Sequence, residues 1–539
     1  MKSLMATQVQ FNAARRLATR VAAFVLACLI PVNMLPGQTA NRLTYLDEPT
    51  EPYYVHRDFP KLTTPQWVGE EGVEAVVVLA IDDMNDSAKY EAYLRPILDR
   101  LKAIDNRAAV SIMTNRIDPQ DPQLQAWLQE GLSIDVHTWD HPCPCLANSH
   151  FAAALETYQK CVDVMASIPN NRPVAFRMPC CDSMNTPSPR FYAEIFNRPT
   201  PAGNFLTMDS SVFQVFTTAD PTLPREAVVR PDGRSRFEHY IPFPNFANKI
   251  ENYPYPYLIG STCWQIPCMV PSDWEAQHVQ APNNPETVRD MKIALDLTVQ
   301  KQGAFSLVFH PHGWIRSDQI VELIDHAVTT YGPRVKFLTF AEVNERMERV
   351  LLHGQSLRAT NGQDNGVRLL DLNADGYLDV VVANSQRQQT RVWSPKERRW
   401  QDDRFPVGLA PLVNDAPNLA DPPAFEQRAP QGRWGVMADD QIILLADSAD
   451  GLRAWQFTNQ QWQPAPQWLQ GLGTAGDVLV QQAGRDQGLR LRDLNGDGQC
   501  ELIQSRPTGN RVWQWHELGW QEASFQLPAS VTLVDEFGR

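Results

Sequence analysis

From about residue 66 to residue 352 the chain alternates short apolar runs with amphipathic stretches of helical period. "VEAVVVLAIDD" (73–83) is apolar on both faces over most of its length, as a strand buried inside a parallel sheet must be. "SAKYEAYLRPILDRLKAI" (87–104) follows as an amphipathic helix, then the strand "AAVSIMT", the helix "DPQLQAWLQEG" and the strand "LSIDVHT". The alternation continues through "HFAAALETYQKCVDVMASI", "PVAFRMP", "SPRFYAEIF" and "NFLTMDSSV". It closes with "ETVRDMKIALDLTVQKQG", "AFSLVFHPHGW", "SDQIVELIDHAVTTYG" and "VKFLTFAEV". Strand then helix, six or seven times, predicts an α/β domain of parallel strands with helical crossovers, as a barrel or an open sheet. The segment from about Ser211 to Pro256, rich in Pro, Phe and Tyr, reads as an insertion shaping a groove; its aromatics suit stacking on sugar rings or packing onto the domain.

Near residue 353 the pattern changes to short strands, turns and spaced tryptophans. Trp393, Trp455 and Trp513 each end a strand-like run, and Trp400, Trp462 and Trp520 follow seven residues later. The period of roughly 60 residues predicts three blades of an all-β, propeller-like array. "DLNADGYLD" (371–379) and "DLNGDGQCE" (493–501) place oxygen ligands on alternate residues around a glycine, Gly376 or Gly498, that permits a sharp turn. They predict calcium bound by Asp371, Asn373, Asp375, Tyr377 and Asp379, and by Asp493, Asn495, Asp497, Gln499 and Glu501. The middle unit, around "VMADDQIIL", lacks this pattern and is expected to be metal-free.

The chemistry of the first region collects at its strand ends, where α/β proteins place their sites. Asp82 and Asp83 end the first strand, His137 and His141 follow the third, Arg177 and Pro179 the fourth, and His310 and His312 the last long one. Asp83, His137 and His141 offer one carboxylate and two imidazoles, which leaves a coordination position open for water as in catalytic zinc sites. Asp82 is placed to act as a base held ionised by Arg177. The competing reading of "HTWDHPCPC" is a closed zinc knot that includes Cys143 and Cys145.

A formal net charge of −14 over 539 residues, with no concentrated basic patch in the folded part, argues against a nucleic-acid partner. Arg15, Arg16 and Arg20 precede the apolar run Val21–Leu35, which is broken by Pro31 and Asn33 and followed by small residues. This predicts a signal peptide over 1–40 (with a lipoprotein through Cys28 as the variant reading), then a lead segment over 41–66. No further segment is apolar enough for a bilayer span, so the expected location is secreted, periplasmic or cell-surface. Seven of the nine cysteines fall between Cys143 and Cys268, and in an oxidising compartment such a cluster predicts disulfides.

"AIDDMND", "HTWDH", "FRMP", "PSDW" and "LVFHPHG" occur in an order and spacing similar to the motifs of polysaccharide deacetylases (NodB homology, carbohydrate esterase family four). The resemblance covers about residues 70 to 345 and implies a distorted (β/α) barrel over 67–352. It implies Asp82 as base, Asp83, His137 and His141 as ligands of zinc or a similar divalent ion, Arg177 orienting Asp82, and His310 as acid. By the same resemblance Asp273 tunes His310 and Trp274 walls the pocket. A backbone N–H near Cys180 would help hold the oxyanion. Met84 stands where the family has glycine and Cys180 where it has an aromatic, and both border the substrate groove. His312 has no firm counterpart and reads as a loop cap in preference to a residue that lines the pocket. With the cysteines no longer needed as ligands, Cys143 and Cys145 are expected to pair with Cys180 and Cys181, in an order the sequence leaves open, and Cys263 with Cys268. Residues 353–539 resemble FG-GAP/VCBS repeats of integrin-type propellers, which usually have seven blades. "VDEFGR" at the end aligns with "QQAGR" before the third unit's loop, so the array is expected to continue past this chain, and the domain to be marginal alone or to need something to pair with.

The leading expectation is an exported, metal-dependent deacetylase of an N- or O-acetylated polysaccharide, whose calcium-binding repeats hold it on a surface or matrix ligand. The alternatives are a hydrolase of other non-peptide C–N bonds on the same scaffold, and an adhesion or carbohydrate-binding protein without turnover.

Overall fold

The computed structural model describes residues 61–527, apart from 144, 147–149, 183–190, 242–245, 247, 406–431, 449–450, 474–477, 483–484, 507–508 and 526. The signal segment, most of the lead segment and "VDEFGR" lie outside the described residues. Among the described residues no helix is long and apolar enough to cross a membrane.

Twelve described strands form one sheet, in the order β7-β6-β10-β11-β1-β2-β3-β4-β5-β9-β8, with β12 also on β1. In chain order they are β1 Ala75–Met84, β2 Val110–Thr114, β3 Ser133–Val136, β4 Ala175–Phe176, β5 Met208–Asp209, β6 Phe213–Val215, β7 Lys249–Glu251, β8 Tyr257–Ile259, β9 Cys263–Gln265, β10 Cys268–Met269, β11 Ala304–Phe309 and β12 Val335–Phe337. The pairings are parallel except for the β8–β9 hairpin. The path has two ends, β7 and β8, so the expected barrel is a curled sheet that stays open among the described residues.

The helices that cover it are α1 Ser87–Asp105, α2 Pro122–Glu130, α3 Phe151–Ser167, α4 Asp273–Val279, α5 Pro285–Lys301, α6 Ser317–Tyr331 and α7 Phe340–Arg346. In α1 the apolar positions Tyr90, Leu94, Ile97, Leu98 and Leu101 recur on one face, Asp86 caps the start and Asn106 ends it in the left-handed region. Along β1, Ala75, Val77, Leu79 and Ile81 face this helical layer, while Val76, Val78 and Ala80 face a second core. The period-2 alternation thus buries both faces, which explains the unbroken apolar run.

The insertion does not stand apart from the domain. Part of it joins the sheet as β6 and β7, and Phe213, Phe216, Phe237, Tyr240, Phe246 and Tyr253 are buried. Of the two readings of its aromatics, packing is the one these residues follow.

The second region is all-β. Its four-stranded antiparallel meanders are β13 Val367–Leu370, β14 Asp379–Ala383, β15 Gln388–Ser394 and β16 Arg399–Arg404, then β17 Gly432–Met437 to β20 Gln461–Pro464, and, after the two-stranded ribbon β21 Gln481–Gln482 and β22 Arg485–Asp486, β23 Leu489–Arg492 to β26 Gly519–Glu522. One apolar cluster joins the first meander to the second and another joins the second to the third. Among the described residues no cluster joins the third to the first, so a stack of sheets is observed and propeller closure is not shown. Trp393 and Trp400 pair across their hairpin, but Trp462 faces Phe457 and Trp520 faces Trp515. The constant seven-residue spacing meets two different turn lengths, and a shorter turn shifts the register.

The free face of the first meander packs against the α/β domain. Val367, Leu369, Val380 and Val382 share a core with Val76 and Val78 of the sheet and with Phe340, Val343, Met347 and Leu351 at the C-terminal end of that domain. The described part of the lead segment is tied into both regions: Thr63 N–H donates to Gly376 O at 2.8 Å, Leu378 N–H donates to Thr63 O at 3.0 Å, and Tyr253 Oη donates to Leu62 O. The partner expected for the repeats is, on one side, the α/β domain itself.

Candidate active site

Parallel register carries the functional residues into one row. Ile81 pairs with Phe309 on one side, Thr114 with Val136, and Val136 with Phe176, so the next residues of β1, β11, β3 and β4 are Asp82, His310, His137 and Arg177. Between Ile81 and Met84 the register of β1 against β2 shifts, and Asp83 has φ +68°. Such a bulge re-aims consecutive side chains. Here it sends Asp82 to Arg177 and Asp83 to the histidines.

Asp82 is buried, and its Oδ1 accepts from Arg177 Nη1 at 2.7 Å. Arg177 is itself fixed by Ser210, whose carbonyl accepts from Nε at 2.8 Å and whose hydroxyl accepts from Nη2 at 3.0 Å. Burial, the largest single influence, disfavours the guanidinium's charge, but the surrounding groups together, Asp82 foremost, more than restore it, so Arg177 stays a fixed cation. Tyr90 Oη donates to the carbonyl of Asp82 and holds the bulge from behind.

Asp83 Oδ1 lies 3.3 Å from His137 Nε2 and 3.0 Å from His141 Nε2, and one ligand atom from each of the three residues falls within 4.8 Å of the others. Among the described residues this is the one such cluster of three or more His, Cys, Asp or Glu. His137 Nδ1 sits 2.8 Å from the carbonyl of Arg177 and must donate to it. In the neutral ring Nε2 is then a lone pair facing a carboxylate, an arrangement that calls for positive charge between them. The electrostatics agree: burial opposes charge on His137, yet Asp82 and Asp83 raise its pKa above the ordinary value. Burial would likewise raise Asp83, but hydrogen bonds from His137, His141 and His312 hold it far below the carboxylate range. Two imidazoles and one carboxylate suit zinc or a related divalent ion, and the set fits such a cation.

His310 Nδ1 lies 2.8 Å from Asp273 Oδ1, and Asp273 Oδ2 accepts the His310 backbone N–H at 2.8 Å. Asp273 is in place because Ser272 caps α4 in a capping box with Glu275, so the first helical residue turns its carboxylate inward. Burial lowers the pKa of His310, but Asp273, with Asp82 and Asp83 beyond it, raises it to about 9. Its Nε2 stands 3.8 Å from Asp83 Oδ2.

Three expectations change here. His312, read as a loop cap, faces the site: its Nε2 is 3.1 Å from Asp83 Oδ2 and its Nδ1 is 3.3 Å from Lys89 Nζ. Sequence offered no signal, because the turn after β11 has no regular period. Cys263 and Cys268 do not close a small loop. They sit on β9 and β10, at separate places in the sheet. No disulfide joins them. Cys268 Sγ instead lies 3.8 Å from Cys181 Sγ. Cys143 is bonded to Cys180, with Cα atoms 6.1 Å apart, which ties the loop after His141 to the loop after Arg177. At Cys180, therefore, a disulfide rather than a lone thiol stands at the groove. Trp274 is half-buried, with its ring 5.1 Å from that of His278. Cys145 is buried.

The two loops expected to bind calcium form turns closed by their own hydrogen bonds, and the end carboxylates expected as ligands, Asp371, Asp379, Asp493 and Glu501, accept from the chain itself. Asp371 accepts from the N–H groups of Asp375 at 3.0 Å and Gly376 at 2.8 Å, and Asp493 likewise from Asp497 at 3.2 Å and Gly498 at 2.9 Å. Asn373 and Asn495 donate to Asp375 and Asp497. Tyr377 and Gln499 donate their backbone N–H groups to the same two aspartates. The closing Asp379, expected as a ligand, is buried and uses both oxygens on the N–H groups of Leu372 and Trp393. Glu501 accepts from Leu494 N–H and from Asn495. A carboxylate at the start of a buried strand satisfies the turn's amides first.

Residues 69–188 match the protein family described as polysaccharide deacetylase. None of the curated proteins compared matches the chain significantly. Among solved structures, one from Mycobacterium smegmatis described as a polysaccharide deacetylase is 14% identical, with 55% of this chain and 96% of that chain covered and a TM-score of 0.34. The peptidoglycan deacetylase PdaC of Bacillus subtilis is 15% identical over 52% of this chain and 95% of its own, with a TM-score of 0.30. A family 4 carbohydrate esterase of Streptomyces lividans, in complex with acetate, is 13% identical over 49% and 91%, with a TM-score of 0.27. The polysaccharide deacetylase likeness thus rests on residues 69–188 of the α/β part, and the repeat part has no counterpart in that family match.

Proposed function

We propose that this protein is an exported, metal-dependent deacetylase that hydrolyses N-acetyl or O-acetyl groups on a polysaccharide. The observation that carries the reading is the flanking of Asp83, His137 and His141 by two groups with separate anchors, Asp82 held by Arg177 and His310 held by Asp273. A divalent cation on Asp83, His137 and His141, zinc in our reading, supplies Lewis acidity that polarises a carbonyl and makes water a better nucleophile at neutral pH. Asp82 accepts the proton of the attacking water, and Arg177 keeps it oriented. His310, kept protonated by Asp273, passes its proton to the departing amine or alkoxide. Acid and base are thereby separated by environment, as general acid–base hydrolysis requires.

The groove supports a second reading. Met84 and the Cys143–Cys180 disulfide stand where the related motifs carry glycine and an aromatic, which leaves another non-peptide C–N bond open as the target. We assign calcium to the loops at Asp371–Asp375 and Asp493–Asp497, and to the repeats a role in holding the enzyme on a cell-surface or matrix ligand.

Three variants test the assignment. Asp82→Asn and His310→Ala should each lose acetate release while zinc or cobalt uptake stays at the unaltered level, whereas Asp83→Ala should lose both. Wild-type turnover in either of the first two would overturn the roles given to them.

A further inference from the structure

Asp83 has two oxygens, and only one faces the other metal-ligand candidates. Oδ1 is the atom near His137 and His141, while Oδ2 is turned toward the segment after β11. There His312 Nε2 lies 3.1 Å from Oδ2, and on the far side of the same ring Nδ1 lies 3.3 Å from the Nζ of Lys89, in the first turn of α1. A lysine ammonium only donates, so Nδ1 accepts and the ring proton is on Nε2, pointed at Asp83. Trp314 packs edge-on against both histidines, with centroids 5.0 Å from His312 and 4.9 Å from His310. Gly313, at φ +82°, lets the chain turn sharply between His312 and Trp314. The two histidines of "HPH" therefore have separate anchors: Asp273 for His310, Lys89 for His312.

We infer that His312 is a positioning residue for the metal-binding carboxylate, working in the relay Lys89–His312–Asp83. Its N–H occupies Oδ2, commits Oδ1 to the cation side and draws charge off the carboxylate. Partners of this kind, one bond removed from the metal, orient the ligands and tune the ion. This rests on the assignment of Asp83, His137 and His141 as the metal site, and it adds two residues, Lys89 and His312, to which the deacetylase-like motifs give no role.

The test is cobalt(II) binding by the full chain, read as affinity against a chromophoric chelator and as the visible absorption spectrum of the bound ion. His312→Ala should weaken binding roughly tenfold to a hundredfold and shift the spectrum. His312→Gln, whose amide N–H reaches toward Oδ2, should recover most of both, and Lys89→Met should move them in the same direction as His312→Ala but less. Unchanged affinity and spectrum in His312→Ala would overturn the proposal. A loss as complete as that of His141→Ala would also overturn it, by making His312 a ligand. Should His312→Ala fail to fold by circular dichroism, Lys89→Met decides, since no shift there removes the relay. Absence of cobalt binding in the unaltered protein would instead refute the metal site on which the proposed function stands.

Discussion

Removing the repeat region should unfold the enzyme rather than release it. A chain ending at Leu352 loses Leu357, Val367, Leu369, Leu378, Val380 and Val382, six buried side chains that share one core with Val76, Val78 and Phe340. At about 1.5–3 kcal/mol for each buried aliphatic side chain, the loss sums to roughly 9–18 kcal/mol as an upper bound. That is the size of a domain's whole stability, about 5–15 kcal/mol. A single truncation samples the same core more gently: Leu369→Ala should cost about 2–5 kcal/mol. Urea unfolding followed by far-ultraviolet circular dichroism and by a hydrophobic dye reads both variants. We expect residues 41–352 alone to bind dye without denaturant, and Leu369→Ala to lower the midpoint for both regions. An isolated 41–352 segment with the full chain's midpoint would refute the shared core, as would a Leu369→Ala effect confined to the repeats.

Three further outcomes follow from the geometry. The raised pKa of His310 means that its ion pair with Asp273 is intact below the ordinary histidine value of 6.5 and is lost as pH rises through about 9. In Asp273→Asn the largest of the opposing groups is gone and only Asp82 and Asp83 still act against burial, so the alkaline limb of the pH–rate profile should fall from near 9 toward the ordinary histidine value, and an unmoved limb would contradict the acid role. Breaking the Cys143–Cys180 bridge by Cys143→Ala with Cys180→Ala frees a loop of 37 residues and should cost about 4 kcal/mol in chemical denaturation; non-reducing peptide mapping that found both thiols free would remove the basis for this. Calcium at a hundred times its dissociation constant should stabilise the chain by about 2.7 kcal/mol for each loop it fills, read as a rise in melting temperature that Asp375→Ala and Asp497→Ala together abolish.

Strand ends were the most legible part of the sequence. Asp82, Asp83, His137, Arg177 and His310 each follow an apolar run, and parallel pairing leaves little freedom in where such residues go. The bulge at Asp83 was not legible, because nothing in "DDM" marks a positive φ. Nor was His312 legible, since its contact depends on a lysine 223 residues away. The cysteines show the same limit: proximity in sequence suggested Cys263 with Cys268, while β9 and β10 take separate places in the sheet and Cys268 lies beside Cys181. In the repeats, tryptophan spacing marked the units, but turn length decides what each tryptophan faces. The insertion was marked by composition alone, which does not distinguish packed aromatics from exposed ones.

The central claim is tested most directly by acetate release from chitin oligomers, peptidoglycan and acetylated xylan by the full chain, stripped of metal and then reloaded with zinc, cobalt or nothing. The account predicts release from at least one of these polymers, abolished by stripping and restored by reloading. Release that ignores stripping, or tight metal uptake with no release from any of the three, would contradict it.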